Sequence, residues 1–361
     1  MTATQRLLLL VIPCIWSCAA LAALDEFPTQ GHRVDLDKKI QNKIAAAVAS
    51  ALLANNVDRL EALSSKLLDP LAVSPDGVHE IFFFTNAIAD SVEDQVPADS
   101  TDQTTATFAV AKKAIESWQK KYPQSLSATV SLAELHESKA WKIRSGGWAN
   151  TVTDDQMEQF LQELHLAASA LDASKAASAR NPVWYAIAES VGKGLNVDRS
   201  QYMQTVDEAI RRFPEVTYLA PAGVPYMTER WGGSDLAVRN YADHVVAEAK
   251  PADQDMVYGL LYGTLLVTGW YDPQTIVARF GVNLARLEKG YADWYQRYPQ
   301  PFNRDIQAMA YCHAYDIPDA APLMEEIGDS PFPDAWSQSH NPAFYNWCVE
   351  NVHAYLRTLK H

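Results

Sequence analysis

The sequence WQKKYP at Trp118–Pro123 returns twice in similar form further along the chain. The related strings are AIRRFP at Ala209–Pro214 and WYQRYP at Trp294–Pro299. In each string a basic residue and an aromatic residue stand directly before a proline. Because proline disfavours the helical conformation in the residue that precedes it, this order is typical of the end of a helix. The strings therefore predict three helices that end at corresponding points of a repeated unit.

A fourth proline indicates the length of that unit. Pro182 lies 32 residues before Pro214, and a helix pair that closes with proline about every 34 residues has the tetratricopeptide period. The segments Val183–Gly192 and Arg199–Phe213 supply the two helices, and Ala209 is the small residue needed where they touch. We predict an all-α protein, a tetratricopeptide-like array of helical hairpins that forms an irregular α-solenoid.

The rest of the chain also favours helices. It is rich in Ala, Leu, Gln, Glu and Lys, which form helices readily. Apolar residues recur three and four positions apart, as on one face of an amphipathic helix. The predicted helices include Lys38–Leu53, Val57–Leu68, His79–Ser91, Thr105–Lys121, Leu126–Ile143 and Arg304–Tyr315, with further helices beginning at Asp154 and Asp235.

The amino terminus has the pattern of a secretory signal. Arg6 precedes an apolar run, Leu7–Ala22, that ends in Ala-Leu-Ala, and this layout predicts cleavage after Ala22. An uncleaved anchor and a lipid anchor through Cys18 are the alternatives. We expect an exported protein, periplasmic or secreted, with no membrane span after cleavage. The predicted regions are a signal peptide at 1–22, an N-terminal helical region at 23–107, a tetratricopeptide-like domain at 108–340 and a C-terminal helix at 341–361.

Charge and cysteine content restrict the partners and cofactors. The formal net charge is −14, and an acidic surface repels phosphate backbones, so we expect no nucleic acid partner. Outside the signal, Cys312 and Cys348 are the cysteines that remain. Two thiols in an exported chain predict one disulfide, and they are too few for a cysteine zinc site.

Two diglycines are predicted to lie at corners inside helical hairpins. They are Gly146–Gly147 in RSGGWANTVTD and Gly232–Gly233 in RWGGSD. Glycine allows a turn with positive φ at a helix end, and Ser234 can then cap the next helix. At the first corner, Thr153 and Gln156 have the spacing of a capping box. A phosphate-binding loop is the alternative, but it requires a preceding strand and more glycines or a lysine.

Arginine and tryptophan flank both corners and are the candidate partner-binding residues. Arg144 and Trp148 flank the first diglycine, Arg230 and Trp231 flank the second, and Trp141 lies one helical turn before Arg144. Tryptophan and arginine are common at the centres of interfaces. The competing interpretation is structural: each Trp packs inside its hairpin, and each Arg binds helix C-terminal carbonyls or stacks on the ring.

The sequence lacks the motifs of common hydrolases and nucleotide-binding enzymes, so no catalytic residue and no cofactor is predicted. Two groups of His and Glu have spacings compatible with metal ligands, but facing polar edges of helices have the same spacings, and no metal is predicted. These groups are His136 with Glu134, Glu137, Glu163 and His165, and Glu350 with His353.

Several motifs occur in an order that resembles a known family. They are KAWKIRSGGWANTVT, NPVWY, ERWGGSDLAVRNYA, and IQAMAYCHAYD before IGD. Together they are similar to an exported or surface-associated bacterial family designated domain of unknown function 4034. The similarity extends from about Pro123 to Trp336, and RWGGS is its most specific part. The resemblance implies a tetratricopeptide-like fold and no particular activity.

Two functions are compatible with these features. The first is an exported, non-catalytic helical scaffold that binds a protein or peptide in the cell envelope, as helical repeat arrays bind partners on a concave face. The second is an enzyme that acts on envelope glycan with paired carboxylates in a cleft lined by Trp, such as the Trp141–Trp148 region. A cleft with such a pair would favour the enzyme, and an aromatic surface would favour the scaffold.

Overall fold

The structure, a computed structural model, describes residues 35–90, 101–145, 151–267, 271–336 and 343–360. These residues are almost entirely helical and form no β-strand; their only β-pairing is an isolated bridge between Val73 and His79. The all-α prediction is therefore confirmed. No helix in this part of the chain has both the length and the hydropathy needed to cross a membrane. The predicted signal segment lies outside the described residues.

The described chain divides into two compact units. The first contains residues 37–74 and 78–219, and the second contains residues 75–77 and the chain from 220 onward. The helices of the first unit are α1 (Leu36–Leu53), α2 (Val57–Leu67), α3 (Glu80–Asp90), α4 (Thr101–Lys121), α5 (Ala128–Arg144), α6 (Asp154–Ser178), α7 (Pro182–Gly194) and α8 (Arg199–Arg212).

Helix α5 lies at the centre of the first unit. It packs against α3, α4, α6 and α7, while α2 contacts α3 and α4, and α8 contacts α7. Ala133, Leu135 and Ala140 are fully buried because neighbours surround α5 on several sides. Helices α2 to α8 thus contact mainly the next one or two helices along the chain.

Side-chain caps begin the helices close to the predicted positions. The Thr153 hydroxyl accepts the backbone N–H of Gln156 at 3.2 Å, and the Gln156 side chain accepts the Thr153 N–H at 3.0 Å. The predicted capping box at α6 is therefore confirmed. Asn181 caps α7 by accepting the N–H of Val183 at 3.0 Å, and Pro182 occupies the first turn, where no donor is needed.

The described part of the second unit contains α-helices and three short 3₁₀ segments. Its α-helices are α9 (Asp235–Glu248), α10 (Gln254–Val267), α11 (Pro273–Phe280), α12 (Leu284–Arg297), α13 (Pro301–His313), α14 (Ile317–Ile327), α15 (Pro333–Trp336) and α16 (Phe344–Thr358). The 3₁₀ segments are Ala220–Met227, Glu229–Trp231 and Pro251–Asp253.

The segment Ala220–Met227 stands where a tetratricopeptide-like array would have the first α-helix of a hairpin. It forms a 3₁₀ helix that contains Pro225. Proline cannot donate the backbone hydrogen bond that an α-helix interior requires, so the tighter 3₁₀ geometry replaces the helix. The segment packs on α9 and α10, and its side chains are mostly buried.

Helices α10 and α12 of the second unit approach each other closely at their glycines. Gly259 and Gly290 face each other, and a β carbon built on Gly290 would overlap the backbone oxygen of Asp255 and lie 3.0 Å from the α carbon of Gly259. Tyr291 fills the space beside Gly263 in the same interface. Glycine is therefore required at these positions because the two backbones touch.

The predicted disulfide is present. Cys312 at the end of α13 is bonded to Cys348 in α16, and their α carbons are 5.8 Å apart, within the normal range for a disulfide. Both cysteines are fully buried. The bond joins α16 to the end of α13.

Candidate functional site

The RWGGSD segment forms a corner whose two glycines have different structural roles. Gly232 is left-handed, with φ of +72°, and ends the short segment Glu229–Trp231. Gly233 has no room for a β carbon, which would overlap the backbone oxygen of Met227. Ser234 then caps α9 by accepting the N–H of Ala237 at 3.1 Å. These local roles account for both glycines without a ligand.

Arg279 of α11 fixes this corner from outside. It donates to both carboxylate oxygens of Glu229 at 2.9 and 2.8 Å, and its Nε donates to Asp235 at 3.1 Å. These bonds raise the pKa of Arg279 and lower the pKa values of Glu229 and Asp235. A bidentate pair sets the guanidinium orientation as well as its position. The corner is therefore cross-linked to α11 rather than open to an anion.

Arg230 and Trp231 of the same corner are both half-buried. Partial burial lowers the pKa of Arg230, while Tyr271 opposes that shift. The structure thus leaves part of each side chain accessible, and the choice between packing and partner binding stays a prediction for this pair.

Trp141, a candidate partner-binding residue of the first corner, is buried in the core. Trp141 is 3% exposed and packs edge-to-face on Phe160 with ring centroids 4.9 Å apart. The charged groups of Lys193 and Arg144 lie 5.1 and 5.7 Å from the Trp141 ring. Trp141 is therefore a core residue that a partner cannot reach, which favours the structural interpretation. Gly146, Gly147 and Trp148 lie outside the described residues.

Two members of the His and Glu group of α5 and α6, His136 and Glu163, form a hydrogen-bonded cluster with Lys139. His136 Nδ1 is 2.6 Å from one oxygen of Glu163, and Lys139 Nζ is 2.7 Å from the other. Burial alone would raise the pKa of Glu163, but these two hydrogen bonds lower it overall. His165 is exposed instead of joining the cluster. No group of three potential ligands suited to a metal occurs in the described part of the chain.

Four aromatic side chains form a partly exposed surface beside the disulfide, which we call the aromatic surface. Phe344 is stacked between His313, at 4.0 Å, and Trp347, at 5.4 Å. Tyr315 meets Trp347 edge-to-face at 5.5 Å. His313, Phe344 and Trp347 are half-buried, whereas Tyr315 is 57% exposed. Burial lowers the pKa of His313 to about 4, so its ring is uncharged at neutral pH.

Tyr315 has a backbone conformation that is unfavourable for its residue type. Its φ is +61°, and it stands one position beyond the C-cap of α13. The Asp316 N–H bonds to the Tyr311 oxygen and the Tyr315 N–H to the Cys312 oxygen, which is the Schellman arrangement. Glycine or asparagine usually occupies this position, and a bulky residue there costs about 1–2 kcal/mol.

Two other helices of this chain end in the same way but with asparagine. Asn55 after α1 has φ of +48°, and Asn196 after α7 has φ of +52°. Both make the same pair of backbone hydrogen bonds as Tyr315. The chain therefore uses the expected residue at two Schellman ends and places an exposed tyrosine at a third.

The aromatic surface rests on a rigid base. Trp336 is fully buried beneath it, with its ring centroid 6.3 Å from that of Phe344. The Trp336 Nε1–H donates to Asp305 at 2.9 Å. The Cys312–Cys348 bond joins the two helices beside these rings, since Cys312 precedes His313 and Cys348 follows Trp347. The rings are thus supported by buried packing and a covalent bond.

Carboxylates lie at the same corner, and we call Glu288, Asp316 and Asp319 the acidic group. Asp316 caps α14 by accepting the N–H of Asp319 at 3.3 Å. Glu288 of α12 is 8% exposed, and burial, followed by the charges of Asp316 and Asp319, raises its pKa to about 7. The corner between α13 and α14 therefore presents an exposed ring and a negative field.

The sequence analysis did not predict the aromatic surface. One local signal was available. Tyr315 stands immediately before Asp316, and an Asp that caps a new helix implies that the preceding residue ends the previous one. A tyrosine in the place of glycine or asparagine would then have been notable.

Comparison of the chain with family models, with curated proteins and with solved structures finds no match.

Proposed function

We propose that this protein is an exported, non-catalytic helical scaffold that binds a peptide segment of a partner in the cell envelope. Its helical hairpins form a tetratricopeptide-like array. The contacts of helices α2 to α8 with the next one or two helices along the chain support this array, because stacked repeats contact mainly their neighbours. The buried disulfide supports an oxidising compartment.

The aromatic surface is the observation that carries the proposal. Tyr and Trp provide large rigid contact areas at low entropic cost, and they are enriched where proteins bind partners. Tyr315 is 57% exposed, and it has a positive φ at a position where the chain uses asparagine in Asn55 and Asn196. Strain of this kind persists where another role offsets it.

A counter-selected peptide screen tests the proposal. Random peptides displayed on phage are selected on the mature chain, after removal of binders to the Tyr315→Gly variant. We expect enriched peptides that bind the native chain and lose about tenfold or more in affinity for the variant, since a central aromatic contact contributes about 1.4 kcal/mol or more. Failure to enrich such peptides contradicts the proposal.

The stability of the variant provides the control. Glycine removes the backbone strain at position 315 but also removes the ring contact with Trp347. The two effects oppose each other, and each amounts to about 1 kcal/mol. We expect Tyr315→Gly to unfold within about 1 kcal/mol of the native chain, so lost binding cannot be assigned to unfolding. Tyr315→Asn, which copies Asn55 and Asn196, should behave in the same way.

The alternative, an envelope glycan-acting enzyme, receives support from Glu288. A carboxyl group with a pKa of about 7 near two other carboxylates has the properties of a general acid paired with a base. Glu288 is only 8% exposed, however, so a sugar could not reach it without rearrangement of α12 and the α13–α14 corner. Peptidoglycan hydrolysis that Glu288→Gln abolishes would establish the enzyme and displace the scaffold.

A further inference from the structure

We infer that the segment bound at the aromatic surface is cationic, carrying Arg or Lys side chains that lie between the rings and the acidic group. This inference rests on the proposed function, because it specifies the partner of the same surface. It follows from three observations: the distribution of charge along the chain, the position of the acidic group and the chemistry of the rings.

The charge distribution is strongly one-sided in the part of the chain that builds the site. Between Asp305 and Leu356 the sequence contains eight Asp and Glu residues and no Lys or Arg. The formal net charge of the whole chain is −14, so this segment accounts for more than half of it. Such a field attracts cationic groups and repels anionic ones, and it accelerates the encounter with a complementary partner.

Two of these acids are structural, and others face solvent at the site. Asp305 is buried against Trp336, and Glu326 pairs with Arg304 at 3.0 Å. Asp319, in contrast, is exposed, and Asp316 is half-buried directly after Tyr315. Glu288 belongs to the same group: burial raises its pKa first, and the charges of Asp316 and Asp319 raise it further.

The rings fit the same ligand. The face of Trp or Tyr attracts an ammonium or guanidinium group through its quadrupole. A protonated His313 would repel a cation, but burial lowers its pKa to about 4, so the ring is neutral at pH 7. A guanidinium also forms bidentate bonds with a carboxylate, so Arg can contact a ring and an acid together. An uncharged sugar would gain no Coulomb attraction from the carboxylates and would be held by hydrogen bonds and ring stacking alone.

Fluorescein-labelled peptides of one length test the inference. Every second position is Arg, Lys, Gln or Glu in the four series, and the other positions are Ala. Fluorescence anisotropy with the native chain should give the order Arg, then Lys, then Gln, with no binding of the Glu series. Added salt should weaken the Arg and Lys complexes and leave the Gln complex nearly unchanged, because salt screens exposed charges.

Matched neutral variants locate the effect. Asp316→Asn combined with Asp319→Asn keeps side-chain size and the cap of α14, since asparagine is also a good N-cap. This variant should bind the Arg series about tenfold more weakly. The control is Glu158→Gln with Asp172→Asn on α6, where both residues are exposed. It should bind as the native chain does; equal losses in the two variants would indicate general attraction to an acidic protein and overturn the inference.

The results separate this inference from the proposed function. If the Gln series binds as tightly as the Arg series, and Tyr315→Gly abolishes both, the scaffold function stands and the cationic partner is wrong. If no series binds, or Tyr315→Gly binds the Arg series as the native chain does, the proposed function fails as well. Binding of peptidoglycan fragments at Tyr315 in place of peptides would also overturn both.

Discussion

Removal of the Cys312–Cys348 bond should lower the free energy of unfolding of the second unit, and the length of the closed loop gives the expected size of this loss. The two cysteines are 36 residues apart, and closing a loop of that length contributes about 3–4 kcal/mol in the chain-entropy model. Both cysteines are fully buried, so replacement by alanine also removes packed sulfur atoms. We expect the double variant to lose about 4 kcal/mol or slightly more.

The single variants make the test sharper. Cys312→Ala and Cys348→Ala each open the same bond, so each should lose nearly the full entropic contribution. The double variant should then be only slightly less stable than either single variant. If the losses instead add, the effect comes from packing at two separate sites.

The appropriate assay is urea unfolding monitored by hydrogen exchange in α13 and α16, because a chain of two units need not unfold in one step. Reduction of the native chain in urea should produce a slightly smaller shift than the double variant, because the packed sulfur atoms remain. Two thiols labelled in the unfolded, unreduced chain would refute the reasoning. So would a difference of less than about 1 kcal/mol between the native chain and the double variant.

Three further changes test other parts of the second unit. Gly290→Ala should destabilise this unit by about 2 kcal/mol or more in urea unfolding, because the added β carbon overlaps the backbone of α10. Gly281→Ala should cost only about 1 kcal/mol, since Gly281 has φ of +68° but open space around it. Equal costs of the two variants would contradict the close packing of α10 and α12. Folding raises the pKa of Glu288 to about 7 from about 4.3, so the native chain takes up a proton on folding and loses stability as pH rises from about 5 to 8. The Glu288→Gln variant should not lose stability in this way, so at pH 8 it should be about 1–3 kcal/mol more stable than the native chain, with little difference at pH 4. A stability difference that does not change with pH would show that the pKa of Glu288 is not raised. Arg279→Lys should lower the Tm by about 2–4 °C, because lysine cannot make the bidentate bonds with Glu229. Arg230→Lys should leave the Tm nearly unchanged. Equal shifts in Tm would show that the bonds of Arg279 do not stabilise the RWGGSD corner.

Helix positions could be predicted because their signals are local. The Pro-terminated strings end α4, α8 and α12 as expected, and the predicted segment at Arg199 begins where α8 does. The capping box at Thr153 and the cap at Ser234 need only a side chain and a backbone group three residues apart. Such interactions depend on a few neighbouring residues, and a sequence shows them directly.

Other features depend on residues that are distant in sequence. Nothing near RWGGSD shows that Arg279 binds Glu229 and Asp235, since 44 residues separate Arg279 from Asp235. The 3₁₀ geometry of Ala220–Met227 depends on Pro225 and on the packing of that segment against α9 and α10. The period of the prolines predicts helical hairpins and does not indicate this geometry.

The exposure of a candidate residue likewise depends on residues that are distant in sequence. Trp141 was selected for its residue type and its place near a corner, but exposure depends on the helices around it. Phe160 and Lys193, which cover Trp141, come from α6 and α7. The rings of the aromatic surface come from α13, the following turn and α16, and only the folded chain brings them together.

The two corners of the second unit can be compared through the residue that has positive φ. At the RWGGSD corner that residue is Gly232, which needs no compensation, and Arg279 supplies the cross-link. At the α13–α14 corner it is Tyr315, although Asn55 and Asn196 show that the chain uses a cheaper residue in the same geometry elsewhere. Folding thus accounts for both glycines of the first corner. The second combines a tyrosine at positive φ with exposed rings, a disulfide and a group of carboxylates, and partner binding is the role that we propose for this combination.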